Sequence, residues 1–432
     1  MRILGIGEYH SLGDLHFRLA RRGHDVRVFV GAPEARPLFR GMVAQCADWE
    51  AELGWVRQAG EDGVIVFESA DQGALQDALR RDGFHVFGGC EWGDRLENER
   101  AFGQDVLRDA GLSTLPTHAF DRFEAGIAWI ATRPRRYVLK FCDPSLPSST
   151  TYVGELDDGR DVAAVLEVHR RRWTKEPPPA FVLMDHVHGI EMGVGAFFDG
   201  ERFLTPAVLD WEHKRYFAGD LGELTGEMGT VVTYRETRRF FDRTLAPLAA
   251  ILREHGYCGY LNLNTIVNAD GIWPLEFTSR FGYPGFAICD ALHAEGWDDI
   301  LRKVTGRRGR HIATKDGFAA GVVLTVPPFP YEDVDECSPV GLPLLFREPL
   351  TPDEEDRLHH GEVALEDGQL VTTGPLGYVT VATGTGPDIL TARNGAYALS
   401  RKVAVPRVRY RTDIGERLMQ HDHEVLARWG HF

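Results

Sequence analysis

Residues 257–285 read YCGYLNLNTIVNADGIWPLEFTSRFGYPG. The first half alternates: Leu261, Leu263, Thr265 and Val267 fall on one face of a strand, and Asn262, Asn264 and Ile266 on the other. Ala269-Asp270-Gly271 predicts a three-residue hairpin loop with glycine in the left-handed position. In that register the return strand IWPLEFT sets Glu276 opposite Asn264 and Thr278 opposite Asn262. A loop one residue shorter or longer would destroy the pairing. The segment Leu275–Gly285 then gathers a carboxylate, a cation and glycines within eleven residues. A lone strand glutamate is more often an ion-paired or solvated group, and two asparagines on one face can satisfy each other. The rest of the chain has to decide.

Working outward, the first 95 or so residues alternate strand and helix. Arg2–Ile6, Val26–Val30, Val64–Phe67 and His85–Gly88 are strand-like, and Leu12, Leu15 and Leu19 recur at helical spacing before Gly23. That alternation predicts a doubly wound parallel sheet. Leu96–Ala110 reads as one helix ended by Gly111, and Tyr137–Phe141 as a strand running into DPSLPSSTT. Arg170–Ala180 reads as a proline-rich connection, Phe181–Asp185 and Met192–Phe198 as strands, and the last 115 or so residues as β-rich, with a helix near Asp388–Arg401.

The 432 residues are 43% hydrophobic, enough for several domains, and the net charge of −16 comes without a basic stripe, which argues against nucleic-acid binding. Six scattered cysteines without a C-x-x-C pair read as ordinary thiols in a reducing compartment. No leader pattern and no apolar run of spanning length are visible, so the expectation is a cytoplasmic protein with no membrane partner. The histidines of DHVHG and HDHE suggest metal spacing at first glance, but the terminal pair, His421 and His423, has no obvious further ligand and reads as a solvated tail. The opening GIG is not followed by a G-x-G-x-x-G, which argues against a nicotinamide cofactor.

Four features carry chemistry together: Lys140 at a strand end before a small-residue loop, Gly189-x-Glu191, the basic EHKR before TGEMG, and LEFTSRFGYPG. In this order they resemble the ATP-grasp superfamily and, over nearly the whole chain, phosphoribosylamine–glycine ligase. The resemblance implies an α/β protein with an N-terminal doubly wound domain (1–98), an ATP-grasp α+β region (99–315, with about 115–185 as a lid-like nucleotide subdomain) and a C-terminal β-rich domain (316–432). It implies ATP and Mg2+ (or Mn2+) as cofactors, with Arg100, Lys140, Ser148, Ser149, Asp185 and Glu191 around the nucleotide. Glu276, Asn264 and Thr278 take the metal, Gly226, Gly229 and Gly282 let backbone approach substrate, and Arg280, Lys214 and Arg215 steady the transferring phosphoryl group. The partners implied are a small carboxylate (glycine or a similar amino acid) and an amine acceptor.

The departures bear on the substrate. The N-terminal loop GIGEYHSLGD replaces the family's glycine-rich loop, where the resemblance places the phosphoribosyl amine. Thr278 stands for the usual metal amide, so Asn264 is the substitute, and DPSLPSSTT lacks the covering-loop lysine. The expectation is an ATP-dependent carboxylate–amine ligase working through an acyl phosphate. Its rivals are a genuine phosphoribosylamine–glycine ligase of purine synthesis and a non-catalytic ATP-binding sensor or scaffold.

Overall fold

The computed structural model describes residues 1–142, 150–174, 177–331 and 338–431. Ser148, Ser149 and most of the loop assigned to cover the phosphates lie outside them.

The N-terminal strands β1 (Arg2–Gly7), β2 (Asp25–Val30), β3 (Ala44–Cys46), β4 (Gly63–Phe67) and β5 (His85–Phe87) form a parallel sheet in the order β3-β2-β1-β4-β5. Its central strands carry nearly continuous apolar runs because helices cover both faces. Helix 13–21 buries Leu15 and Leu19 on one side, and Gly23 ends that turn at φ 85°.

A second, antiparallel sheet combines β6 (Thr117–Phe120), β7 (Tyr137–Phe141), β8 (Tyr152–Val153) and β9 (Phe181–Asp185) in the order β6-β9-β7-β8. Helices 123–132 and 160–172 pack on it over Phe123, Leu166 and Phe181. Arg170–Arg172, expected in the connection, belong to the second helix. Its last turn is held by Arg170 and Arg171 on the Glu167 carboxylate at 2.7 and 2.8 Å.

The central sheet adds β10 (Ile190–Asp199), β11 (Val208–Glu212), β14 (Gly229–Thr233), β15 (Cys258–Asn268), β16 (Gly271–Thr278), β17 (Phe318–Thr325), β19 (Leu358–His360) and β22 (Tyr378–Gly386), in the order β16-β15-β10-β11-β14-β17-β22-β19. Between them, β12 (Arg215–Phe217) and β13 (Leu221–Leu224) form a hairpin; β18 (Leu345–Phe346), β20 (Val363–Glu366), β21 (Gln369–Thr372) and β23 (Val403–Ala404) make small ladders. The strands beyond residue 316 thus continue the central sheet through the β14–β17 pairing. Helix 389–402 is seated against β17 and β22. Among the described residues no helix is long and apolar enough to cross a membrane.

Two expectations are corrected. The helix read over 96–110 is two, 91–98 and 100–109, broken at Glu99 (φ −105°, ψ 83°). A corner forms there because the second helix packs Gly103 against the Leu96 carbonyl, where a Cβ would come within 2.8 Å. The break puts Arg100 at the head of a new helix. The hairpin loop is also shorter than expected: Asn268 pairs directly with Gly271, which has no positive φ. The Asn268 side chain accepts the Asp270 and Gly271 amides at 3.0 and 3.1 Å and closes the turn. Glu276 still faces Asn264, because a bulge at Leu275 absorbs the displaced residue (Thr265 pairs Pro274, Asn264 pairs Glu276). Gln104 and Arg100 reach the Leu275 carbonyl at 2.9 and 3.5 Å and hold the bulge from outside.

Candidate active site

A cavity of about 630 Å3 lies between the small sheet and one face of the central sheet. Leu115, Val138, Met184 and Val187 form one wall, and Ile266 and Leu275 of the hairpin the other, making an apolar slot. The remaining floor is polar. It is built from alternate residues of five neighbouring strands, which period-2 alternation brings to one face: Glu276 and Thr278, Asn262, Glu191, Asp210 and Glu212, then Thr230. Gly193 sits in the middle of this floor, where a Cβ would lie 2.2 Å from the Asp210 carboxylate.

Glu276 is the centre of charge. Its Oε2 accepts from Arg100 Nη2 at 2.6 Å and lies 3.5 Å from Lys140 Nζ, while its Oε1 lies 3.5 Å from Lys214 Nζ. Burial opposes its charge, but Lys140, Lys214 and Arg100 outweigh this and hold the carboxyl well below the usual range. Burial pulls the Lys140 ammonium down to about 8, against the raising effect of Glu276. Lys214 also meets Glu191 at 3.1 Å and Glu212 at 3.2 Å, and these anions raise it despite burial. Three carboxylates around one ammonium form an oxygen-rich cradle for a cation. Among the described residues no group of three or more acidic, histidine or cysteine side chains has metal-holding geometry by itself. This fits Mg2+, which takes one or two protein carboxylates and fills its shell with phosphate oxygens and water.

Of the residues singled out in the sequence, Arg100, Lys140, Asp185, Glu191, Lys214, Gly226, Glu276, Thr278, Arg280 and Gly282 line this one cavity. Asp185 is held by Arg135 at 2.6 Å through one oxygen, and its Oδ1 is buried without a partner. Arg280 is oriented by Glu97 at 3.0 Å. Three residues are placed otherwise. Asn264 shares the face of Glu276, its partner across the hairpin, but does not line the cavity, donating instead to Glu191 at 2.7 Å. Arg215 lies off the cavity on β12, its guanidinium donating to the Gly222 carbonyl at 2.6 Å, because alternation along EHKR turns it away from Lys214. Gly229 is a packing glycine: at φ 151° its Cβ would fall 2.4 Å from the Gly321 carbonyl on β17.

Sequence reasoning missed Glu97, Asp210, Glu227 and Thr230, all on the cavity wall. Asp210 accepts from Asn262 Nδ2 at 2.7 Å, so that asparagine serves Asp210 and not its neighbour Asn264. Burial, then repulsion from Glu212, pushes the Asp210 carboxyl up to about 8 and Glu227 well above its ordinary value. The available signal was an acid two positions before EHKR, Asp210, and another inside TGEMG itself, Glu227.

The N-terminal loop is closed on itself. His10, at φ 57°, folds the turn so that the Tyr9 and His10 amides donate to Glu68 Oε1 at 2.8 and 2.9 Å, and the Ser11 and Leu12 amides also act on this carboxylate. Such a concave run of amides binds anions, and here the chain's own Glu68, 5% exposed, fills it.

Comparison with known proteins supports the same architecture. Residues 98–286 match the family described as phosphoribosylglycinamide synthetase, ATP-grasp (A) domain. A phosphoribosylamine–glycine ligase of Mycobacterium bovis is 28% identical over 395 residues, covering 85% of this chain and 86% of the relative. That of Salmonella typhimurium is 26% identical over 439 residues, covering 98% and 100%. The crystal structure of phosphoribosylamine–glycine ligase from Thermotoga maritima superposes with TM-score 0.72 at 22% identity, covering 96% of this chain and all of that one. The biotin carboxylase domain of Hydrogenobacter thermophilus 2-oxoglutarate carboxylase, solved with MgADP, shares the fold at TM-score 0.65 and 11% identity.

Proposed function

We propose that this chain, an ATP-grasp ligase resembling phosphoribosylamine–glycine ligase over nearly its full length, phosphorylates a small carboxylate and transfers the acyl group to an amine other than phosphoribosylamine. The observation that carries the phosphoryl-transfer half is Glu276 ringed by Arg100, Lys140 and Lys214 beside an apolar slot. A base ring suits the slot, with Asp185 and Glu191 on its ribose side. A triphosphate competes with Glu276 for Arg100 and Lys140, and in drawing them off frees the carboxylate for Mg2+. Glu276, with the Thr278 hydroxyl and with Asn264 acting through Glu191, would hold that ion. The chemistry it would supply is neutralisation of the charge on the phosphates.

The substrate carboxylate attacks the γ-phosphorus, the bond to ADP breaks, and an acyl phosphate forms. Arg280, braced by Glu97, and Lys214 steady the negative oxygens of this transfer. Gly226 leaves space for substrate, and Gly282 makes room for the Arg280 guanidinium, which a Cβ there would meet at 2.2 Å. The bound ammonium gives up one proton, and the resulting neutral amine attacks the carbonyl carbon. Phosphate leaves with the electron pair of the broken C–O bond, and the amide nitrogen releases its surplus proton to water.

The Glu68-filled loop favours a different acceptor, because a phosphosugar would have to displace a buried carboxylate from those amides. The relatives at 26–28% identity favour the second reading, phosphoribosylamine–glycine ligase itself. The test is ADP release from MgATP with amino acids supplied singly, in pairs, and with phosphoribosylamine. Release with glycine plus phosphoribosylamine alone supports the second reading. Release with another carboxylate–amine pair supports the first. Tight ATP binding with no release under any condition sinks both.

A further inference from the structure

Asp210 and Glu227 are 6% and 7% exposed and both line the cavity. Among the described residues no basic nitrogen comes within 4.0 Å of either: the nearby ammonium, Lys214, is shared by Glu191, Glu212 and Glu276. The donor to Asp210 is the neutral Asn262 amide, and Glu227 Oε1 has no partner. Two hydroxyls lining the same cavity are also unsatisfied: Thr230 Oγ1, on a residue 3% exposed, and Tyr283 Oη. A buried polar oxygen left unpaired costs roughly 1–3 kcal/mol, so the three unpaired oxygens of Glu227, Thr230 and Tyr283 in one cavity, with Asp210 given a single amide donor, are arranged for something not supplied by the chain.

The chemistry of that missing group follows from the inventory. Two carboxyls and two hydroxyls offer acceptors in excess, and an alkylammonium brings three N–H donors and a positive charge. A phosphate or carboxylate would add further acceptors to a wall already rich in them.

We propose that the part of this cavity lined by these groups binds the protonated amino group of a small substrate without phosphate, with the Asp210 and Glu227 carboxyls and the Thr230 and Tyr283 hydroxyls as its acceptors. The assignment rests on the ligase reading only in naming this group as the amine end of the reaction. The geometry is independent of it.

The test uses 1,4-diaminobutane and O-phosphoethanolamine as probes, titrated calorimetrically into the full chain and into Asp210→Asn and Glu227→Gln. The expected result is measurable binding of the diamine, at least tenfold stronger than of the phosphorylated amine, and weakened about tenfold in each variant. ATP affinity and the melting temperature, read on the same samples, stay at wild-type values. The proposal is overturned if the wild type does not bind the diamine, if the phosphorylated amine binds as well, or if neither variant weakens diamine binding while remaining folded. ADP release in hydroxylamine, which traps an acyl phosphate without the amine site, is measured in parallel with each amino acid. Diamine binding without trapped product would leave the cation site standing and remove the ligase reading; trapping without diamine binding would do the reverse.

Discussion

Replacing Glu68 with alanine separates the two acceptor readings most directly. Its Oε1 takes the Tyr9 and His10 amides at 2.8 and 2.9 Å, in a loop where His10 already holds a left-handed backbone. Each donor left buried without an acceptor costs roughly 1–3 kcal/mol. Two donors therefore set a ceiling near 6 kcal/mol. Relief of the buried carboxyl, whose pKa burial raises, and entry of water reduce this to about 2–4 kcal/mol. The emptied amides become an anion site. With inorganic phosphate at about ten times its dissociation constant, mass action returns roughly 1.4 kcal/mol to the variant. Urea unfolding of both proteins with and without phosphate reads this directly. The expected pattern is a destabilised variant that phosphate rescues and a wild type that phosphate leaves unmoved. Equal stabilisation of the wild type by phosphate would show that the loop is open, and the argument against a phosphosugar acceptor would fail.

Three other outcomes follow from the site and its supports. Glu276→Ala is expected to cut metal-dependent ADP release on the order of a hundredfold or more with the fold intact by circular dichroism; retained turnover would remove the metal assignment. Gly259→Ala places a Cβ 2.2 Å from the Gly88 carbonyl, where the N-terminal sheet bridges to the hairpin, and overpacking there is expected to cost about 1–3 kcal/mol in the urea midpoint. Glu362, 8% exposed, has its pKa raised to about 7 by burial, against the amides of Gly377, Tyr378 and Leu376. A carboxyl raised in the folded state favours folding most below its unfolded pKa near 4.5 and loses that contribution as pH rises through 7. The stability of the wild type relative to Glu362→Gln should therefore fall by about 3 kcal/mol between pH 4.5 and 7.5; a constant difference across that range would contradict the shift.

Much of the molecule was legible in local pattern. The parallel sheet shows in apolar runs spaced by helices, and strand β7 ends where Lys140 was read to stand before its loop. The two faces of 257–268 separate in sequence as they do in space, with Leu261, Leu263 and Val267 fully buried. Such features depend on periodicity within a few residues. The helix break at Glu99 is not of this kind, since it answers to packing of Gly103 on Leu96 and of both helices on the hairpin.

By itself, then, the sequence determined where a strand-borne carboxylate, a strand-end lysine and a basic segment stand along the chain. It determined which side of each strand they occupy, because alternation is local. Tertiary structure alone decided how those faces combine. The expected loop and the true turn differ by one residue, and Glu276 still faces Asn264 only because Leu275 bulges outward under Gln104. Lys214 and Arg215 are neighbours in sequence but diverge on a strand, so one meets Glu276 and the other a loop carbonyl. Asp210, Glu227 and Thr230 carry no local mark of a site. They become one when the central sheet turns β11, β14 and the segment before β14 toward the same cavity. Charges acquire meaning from the dielectric and partners around them, and those are properties of the assembled fold.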